Sequence, residues 1–143
     1  MTTNDRPIIL EPIGVVRSPL KTRGQAPHQG REKMIQARIE IFAPYRAHLD
    51  DLAAHRHLWV LSWLDRADRD ILRVHPRGDP ERPLTHVLAT RSPGRPNPLG
   101  LCLVDLIGLD AERGIVEVAG LDALNGTPVV DIKPYSPRVD APL

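Results

Sequence analysis

The chain has 143 residues, with 19 lysines and arginines against 18 aspartates and glutamates, a formal net charge of +1, and 41% hydrophobic residues. That length suits a single domain spanning residues 1–143 around one core, and the balance of charge excludes a strongly basic nucleic-acid binder. No apolar run approaches the roughly 18 residues of a membrane span, residues 1–7 are too polar for a secretory signal, and the single cysteine, Cys102, has no internal disulfide partner, so no membrane association and a cytoplasmic location are expected.

In chain order, residues 8–16 read as a first strand in which Pro12 requires a bulge or an edge. Between residues 17 and 38 six cations, Arg17, Lys21, Arg23, Arg31, Lys33 and Arg38, face one acid, Glu32. This is either a solvated loop or the footprint of a polyanion. Residues 34–42 alternate, with Ile35, Ala37, Ile39 and Ile41 on one face and Gln36, Arg38 and Glu40 on the other, the period of a strand. Residues 45–54 place Leu49, Leu52 and Ala53 at helical spacing and are the principal helix expected. Further strands are expected at 57–64, 71–74, 85–89, 99–107, 115–119 and 129–132, with Trp59 and Trp63 in the core and a mobile loop over 77–83.

Fifteen prolines and ten glycines punctuate these short apolar runs. No glycine-rich phosphate loop links a strand to a helix, and one helix cannot cover both faces of a parallel sheet. The expected fold class is therefore mainly β, a small antiparallel β-barrel of about six to eight strands with one principal helix.

Two segments concentrate chemistry. Residues 89–101, A-T-R-S-P-G-R-P-N-P-L-G-L, hold three prolines and two glycines that stiffen a connection between strands. Such a frame presents Arg91, Arg95 and Asn97 at small further entropy cost, or serves only as a tight turn. Residues 120–135 contain Asn125-Gly126, a turn former, leading into a strand with Asp131 and Lys133 on one face. His55-x-His57 and the scattered His28, His48, His75 and His86 lack the spacing of a metal centre, so none is expected. Cys102 lies in an apolar run and reads as a buried side chain, not a nucleophile.

The order of I-G-V-V-R-S-P at 13–19, P-x-Q at 27–29, H-L-W at 57–59, A-T-R-S-P-x-R-P-N-P-L-G at 89–100 and N-G-T-P-V-V-D-I-K-P-Y at 125–135 resembles the TrmO, or YaeB-like, family of S-adenosylmethionine-dependent tRNA methyltransferases. The resemblance implies a small β-barrel that dimerises and binds S-adenosylmethionine near the subunit interface. Its reaction would be N6-methylation of threonylcarbamoyladenosine at position 37 of tRNA. Implied cofactor-binding positions are Pro27, His28 and Gln29, Asp65 and Arg66, Arg91, Leu101, and the stretch Gly120, Leu121, Asp122 and Ala123. His28 replaces an arginine of the family pattern, and Asp65 and Arg66 replace a His-Gln pair. Many members continue into a second domain after the K-P-Y motif, whereas this chain stops at Leu143, as a short form would.

Within that resemblance, the fork of Arg91 suits the methionine carboxylate. Arg95, Asn97 and Lys133 are candidates for the acceptor, as a phosphate or the threonyl carboxylate. No side chain is singled out as the catalytic group; water, Asp122 or Asp131 would take the amine proton. Two other readings remain open: a module that binds S-adenosylmethionine without turnover, and a methyltransferase acting on a small molecule or a protein.

Overall fold

The computed structural model describes residues 6–142. Residues 1–5 of the polar N-terminal stretch, and Leu143, lie outside that range. Six strands close a barrel: β1 (Gly14–Arg17), β2 (Gln36–Ile41), β3 (His57–Trp63), β6 (Leu99–Asp110), β7 (Ile115–Ala119) and β8 (Pro128–Pro134). Their order around the barrel is β1-β2-β7-β6-β3-β8, and β8 pairs with β1 to complete it. Every pairing is antiparallel. Closure leaves none of these strands with an unpaired edge. A separate ribbon, β4 (Arg73–Val74) and β5 (Thr85–His86), pairs only with itself.

Alternation along the strands fills the interior. Val16, Ile39, Ile41, Leu58, Val60, Val104, Val116, Val118 and Val129 are fully buried. Each such side chain contributes about 1.5–3 kcal/mol on burial, against about 0–1 kcal/mol for a surface ion pair, so the aliphatic core holds the barrel closed.

The first strand is shorter than the apolar run around it. Ile8, Ile9 and Leu10 are exposed, and pairing begins only past Pro7 and Pro12, which have no N–H to give a ladder. Residues 45–54 are not an α-helix. They form two 3-10 segments, Ala43–His48 and Asp50–Ala54, in which Tyr45, Leu49, Leu52 and His55 each donate to a carbonyl three residues earlier. The apolar positions do their expected packing, with Leu49 in the core and Leu52 against it. The stretched geometry lets a short segment run across the barrel end. Among the described residues the α-helical turn is α1 (Pro137–Asp140).

The run 85–89 is β5 followed by a 3-10 turn, Val87–Ala89. Trp59 and Trp63 are not core residues. Leu58, Val60 and Ser62 take the inward positions of β3, which turns both indoles to the half-buried outer face.

Candidate functional site

Antiparallel pairing brings three connections to one end of the barrel. They are residues 18–35 between β1 and β2, residues 64–98 between β3 and β6, and residues 120–127 between β7 and β8. All the candidate positions except Leu101, Asp131 and Lys133 lie on these three connections.

The tightest junction is at Gly30. A Cβ there would lie 1.8 Å from the Gly120 carbonyl oxygen and 2.7 Å from Cys102 Sγ, so the backbone of the first connection rests directly on the third. Gly120 adopts φ +95°, open to glycine and strained for other residues. The Cys102 thiol, which points inward from β6, donates to the Gly120 carbonyl over 3.0 Å and also faces the Asp122 carboxylate. Burial, then the Asp122 charge, pushes the thiol up to about 12, so Cys102 is a packed, unreactive side chain as expected.

Asp122 is raised above the ordinary carboxylate value, chiefly by burial. The Cys102 thiol, the Gly30 N–H and the Arg91 charge act the other way and keep the rise in check. Arg91 Nη1 donates to Gln29 Oε1. Gln29, Gly30, Arg91 and Asp122 thus converge: a guanidinium, an amide, a backbone bend and a partly buried carboxylate from three connections. Leu121 and Ala123 are buried in the core on either side of Asp122. Pro27 is half-buried beside exposed His28, whose carbonyl accepts from the Gln29 amide.

Other candidates stand apart from that group. Arg66 reaches across to the Asn125 carbonyl at the predicted turn, where Gly126 has φ +87°, and Asp65 is exposed. Leu101 lies on the outer face of β6, 49% exposed, opposite Leu61. Arg95 and Asn97 frame their own loop. Arg95 Nη1 donates to the carbonyls of Thr90 (2.9 Å) and Ser92 (3.1 Å), and Asn97 Oδ1 accepts from Arg69 Nη2 (3.0 Å).

Lys133 is toward the far end of β8, opposite Trp59, and pairs with Asp131 at 3.6 Å; the structure does not bring it to Arg95 and Asn97. It also keeps Asp131 on the outer face of β8, away from the Arg91 group that Asp122 joins.

Sequence reasoning missed Arg69. Its Nε donates to the Pro96 carbonyl over 2.6 Å, and its guanidinium lies 5.3 Å from the Trp63 ring centroid, so it holds the R-x-P-N-P loop to β3. No local pattern marks it, because both partners come from elsewhere in the chain. Reading missed Gly30 too, although a glycine directly after P-x-Q was a signal for close backbone approach. His57 and Arg31 both bond Asp105, at 2.9 and 3.0 Å. Among the described residues no group of three or more His, Cys, Asp or Glu gathers as metal ligands would.

The profile of the tRNA-methyltransferase O N-terminal domain matches residues 15–141. An S-adenosyl-L-methionine-binding protein of Archaeoglobus fulgidus is 50% identical over 133 residues, covering 93% of each chain. The tRNA (adenine(37)-N6)-methyltransferase of Escherichia coli is 38% identical over 140 residues, covering 92% of this chain and 59% of the relative. A crystal structure of TrmO from Pseudomonas aeruginosa superposes with a TM-score of 0.77 at 30% identity, covering 96% of this chain and 60% of that one. The chain therefore spans about three fifths of those last two proteins and nearly all of the archaeal one. A profile match over most of the chain, with the same barrel in the crystal structure, places it: the chain belongs to the tRNA-methyltransferase O N-terminal domain family.

Proposed function

We propose that the barrel end carrying Gln29, Arg91 and Asp122 binds S-adenosylmethionine, and that the protein transfers the methyl group to N6 of threonylcarbamoyladenosine at position 37 of tRNA. The observation that carries this reading is the convergence of those three side chains at the Gly30–Gly120 contact. The residues fit the cofactor's chemistry: a guanidinium for a carboxylate, a carboxylate for an ammonium or ribose hydroxyl, and backbone groups at Leu121 and Ala123 for the adenine edge. Bound there, S-adenosylmethionine supplies an activated sulfonium methyl group.

The chain's own task is orientation, which is worth a large part of such a barrier. Arg91 leaves Gln29 to fork the methionine carboxylate, while Gln29 and the 121–123 backbone hold the adenosine. Pro27 and His28 shape the wall beside them. Asp122 or water takes the proton that the acceptor nitrogen loses, Asp131 being occupied with Lys133.

The polynucleotide acceptor is supported by the cations of the first connection and of the strand ends that flank it. Arg17 pairs with Glu40 and Arg31 with Asp105. No ion pair forms at Lys21, Arg23, Lys33 or Arg38 among the described residues. Those four are the phosphate-facing set, and Arg95 and Asn97 act on the acceptor by holding their loop. A homodimer completes the reading. Leu99 and Leu101 on the outer face of β6, with Leu72, Leu84 and Leu88 on the second connection, are exposed and apolar, the composition of an interface core. Asp65 and Arg66 would then meet the cofactor of the partner subunit or of their own. We place this single domain in the cytoplasm.

The experiment is release of S-adenosylhomocysteine on incubation with tRNA, followed by mass spectrometry of the tRNA nucleosides. Methylated threonylcarbamoyladenosine is expected. Calorimetric binding of S-adenosylmethionine with no turnover on tRNA would leave the binding-module reading, which the name of the archaeal relative favours. Turnover on a small molecule or protein in RNase-treated extract would identify the other acceptor class. Light scattering at micromolar concentration is expected to give a dimer. For the phosphate-facing set, Arg23→Glu/Lys33→Glu should flatten the plot of log tRNA affinity against log salt by roughly 0.7–0.9 per lost contact. The same slope in both proteins would remove these side chains from the interface.

A further inference from the structure

The methyl-transfer reading leaves unused an ion pair that links two of the site-end connections. Glu32 Oε1 and Arg77 Nη1 meet at 2.7 Å. Glu32 closes the 3-10 turn Gly30–Glu32 that begins directly after Gln29. Arg77 belongs to the turn Pro76–Gly78, within the second connection that later presents Arg91. The same two connections are therefore joined twice, by Arg91 to Gln29 and by Arg77 to Glu32.

Arg77 has φ 60° and ψ 17°, the one left-handed non-glycine residue among the described residues. An arginine has no intrinsic reason to take that conformation; it persists where tertiary contacts over-determine it. Backbone bonds from Gly78 to His75 and from Asp79 to Pro76 close the turn, and the Arg77 side chain is held by Glu32. The hydrogen bond from Arg77 holds the Glu32 carboxyl below its ordinary value, and the same bond raises Arg77. The stretch 77–83, polar and rich in Gly and Pro, is thereby tied down at its first residue.

We infer that Glu32 and Arg77 are positioning residues whose ion pair latches the β4–β5 excursion onto the Gln29 turn, setting the gap between Gln29 and Arg91 and so the rate at which cofactor leaves. The inference rests on the cofactor reading of that gap. Both side chains are about two-fifths exposed, so the latch is screened by salt and modest in strength. It acts on the walls of the site without touching the ligand.

Stopped-flow binding of S-adenosylmethionine tests it with Glu32→Gln, Arg77→Asn and the reversed pair Glu32→Arg/Arg77→Glu. Asparagine tolerates the left-handed region, so Arg77→Asn removes the guanidinium without new backbone strain. Each neutral variant should release cofactor about two- to fivefold faster at low salt. Wild-type release should speed up with added salt more steeply than release from the neutral variants, which keep only the salt dependence of the Arg91–carboxylate contact. The reversed pair should return toward wild type although each reversed single variant is faster still. Wild-type release rates in the neutral variants, or no recovery in the reversed pair, would overturn the inference.

Hydrogen exchange of the ligand-free protein over 71–90 separates the two readings. Faster exchange in Glu32→Gln supports the latch, and unchanged exchange overturns it. Absence of cofactor binding by the wild type defeats the cofactor reading instead.

Discussion

The two ends of the barrel solve the same problem by different means. At one end the strands are joined by a four-residue reversal after β6 and by the 3-10 segments between β2 and β3. It is sealed at a tight turn: Gly114 takes φ +72° and its carbonyl accepts from Ile41 N–H, while one side chain, Arg46, donates through Nε to the Ile41 carbonyl over 3.0 Å. At the other end three longer connections meet, and side chains brace backbone throughout, as Arg66, Arg69 and Arg95 do. A partly buried acid and a buried thiol stand among them. One end closes the fold. The other exposes polar groups on a frame that the same barrel keeps rigid, the kind of surface on which binding sites are generally built.

Two glycines give the largest test of that contrast. Gly30→Ala puts a methyl into the Gly120 carbonyl and should abolish cofactor binding, a loss of at least about 100-fold by calorimetry, as the first and third connections are forced apart. Gly114→Ala meets Arg46 Nε at 2.5 Å and the Ile41 carbonyl at 2.6 Å, in a left-handed conformation. It should lower unfolding stability by about 1–3 kcal/mol and leave affinity per folded molecule unchanged. If Gly114→Ala weakens binding as much as Gly30→Ala does, the two ends are not functionally distinct.

Arg91 sharpens the comparison within the site end. Arg91→Ala should weaken S-adenosylmethionine binding by about 2 kcal/mol, with Arg91→Lys recovering only part because an ammonium lacks the fork. Arg95→Ala should act differently. Loss of its two carbonyl contacts loosens the loop, so thermal stability should fall alongside affinity. Unchanged calorimetric affinity in both Arg91 variants would reassign that residue to loop structure.

The smallest effects concern two acids of opposite sign. Asp122 is raised by burial, so its protonated form suits the fold. Its contribution is full below the ordinary value of 3.8 and is lost as pH rises through its own higher value. Asp122→Asn should therefore stabilise the protein at neutral pH, with the gain vanishing in acid. Asp105 is also pushed up by burial, but hydrogen bonds from Arg31 and His57 outweigh that and lower it. Its contribution is present above 3.8 and lost as pH falls through its own lower value, so Asp105→Asn should destabilise at neutral pH. Chemical denaturation across pH 3–7 reads both; curves moving in the same direction would contradict the assignment.

Much of this was legible beforehand. The strict alternation at 34–42 became β2 with Ile39 and Ile41 inward as expected, and the run expected as a strand at 115–119 became β7. The proline-rich loop and the Asn125-Gly126 turn were found where their residues demand them. What went wrong has a common cause. The spacing of Leu49 and Leu52 marks a buried face but does not distinguish an α-helix from 3-10 turns, which differ by where the chain must end. Trp59 and Trp63 share a face with each other, and only the strands packed beside β3 decide whether that face is inside.

By itself the sequence determined the class of fold, the strand pattern and the stiff segments that meet at the candidate site, because these depend on local periodicity and on backbone rules for proline and glycine. Tertiary structure alone decided which side chains gather at the candidate site and which brace its loops. Arg91 and Arg95 stand four residues apart in one motif, yet one faces Gln29 and Asp122 while the other turns back on Thr90 and Ser92. Glu32 finds Arg77, and Arg31 finds Asp105, 74 residues away. Such contacts are set by the register of strands distant in the chain, and hydrophobic pattern specifies that register only after the barrel has closed.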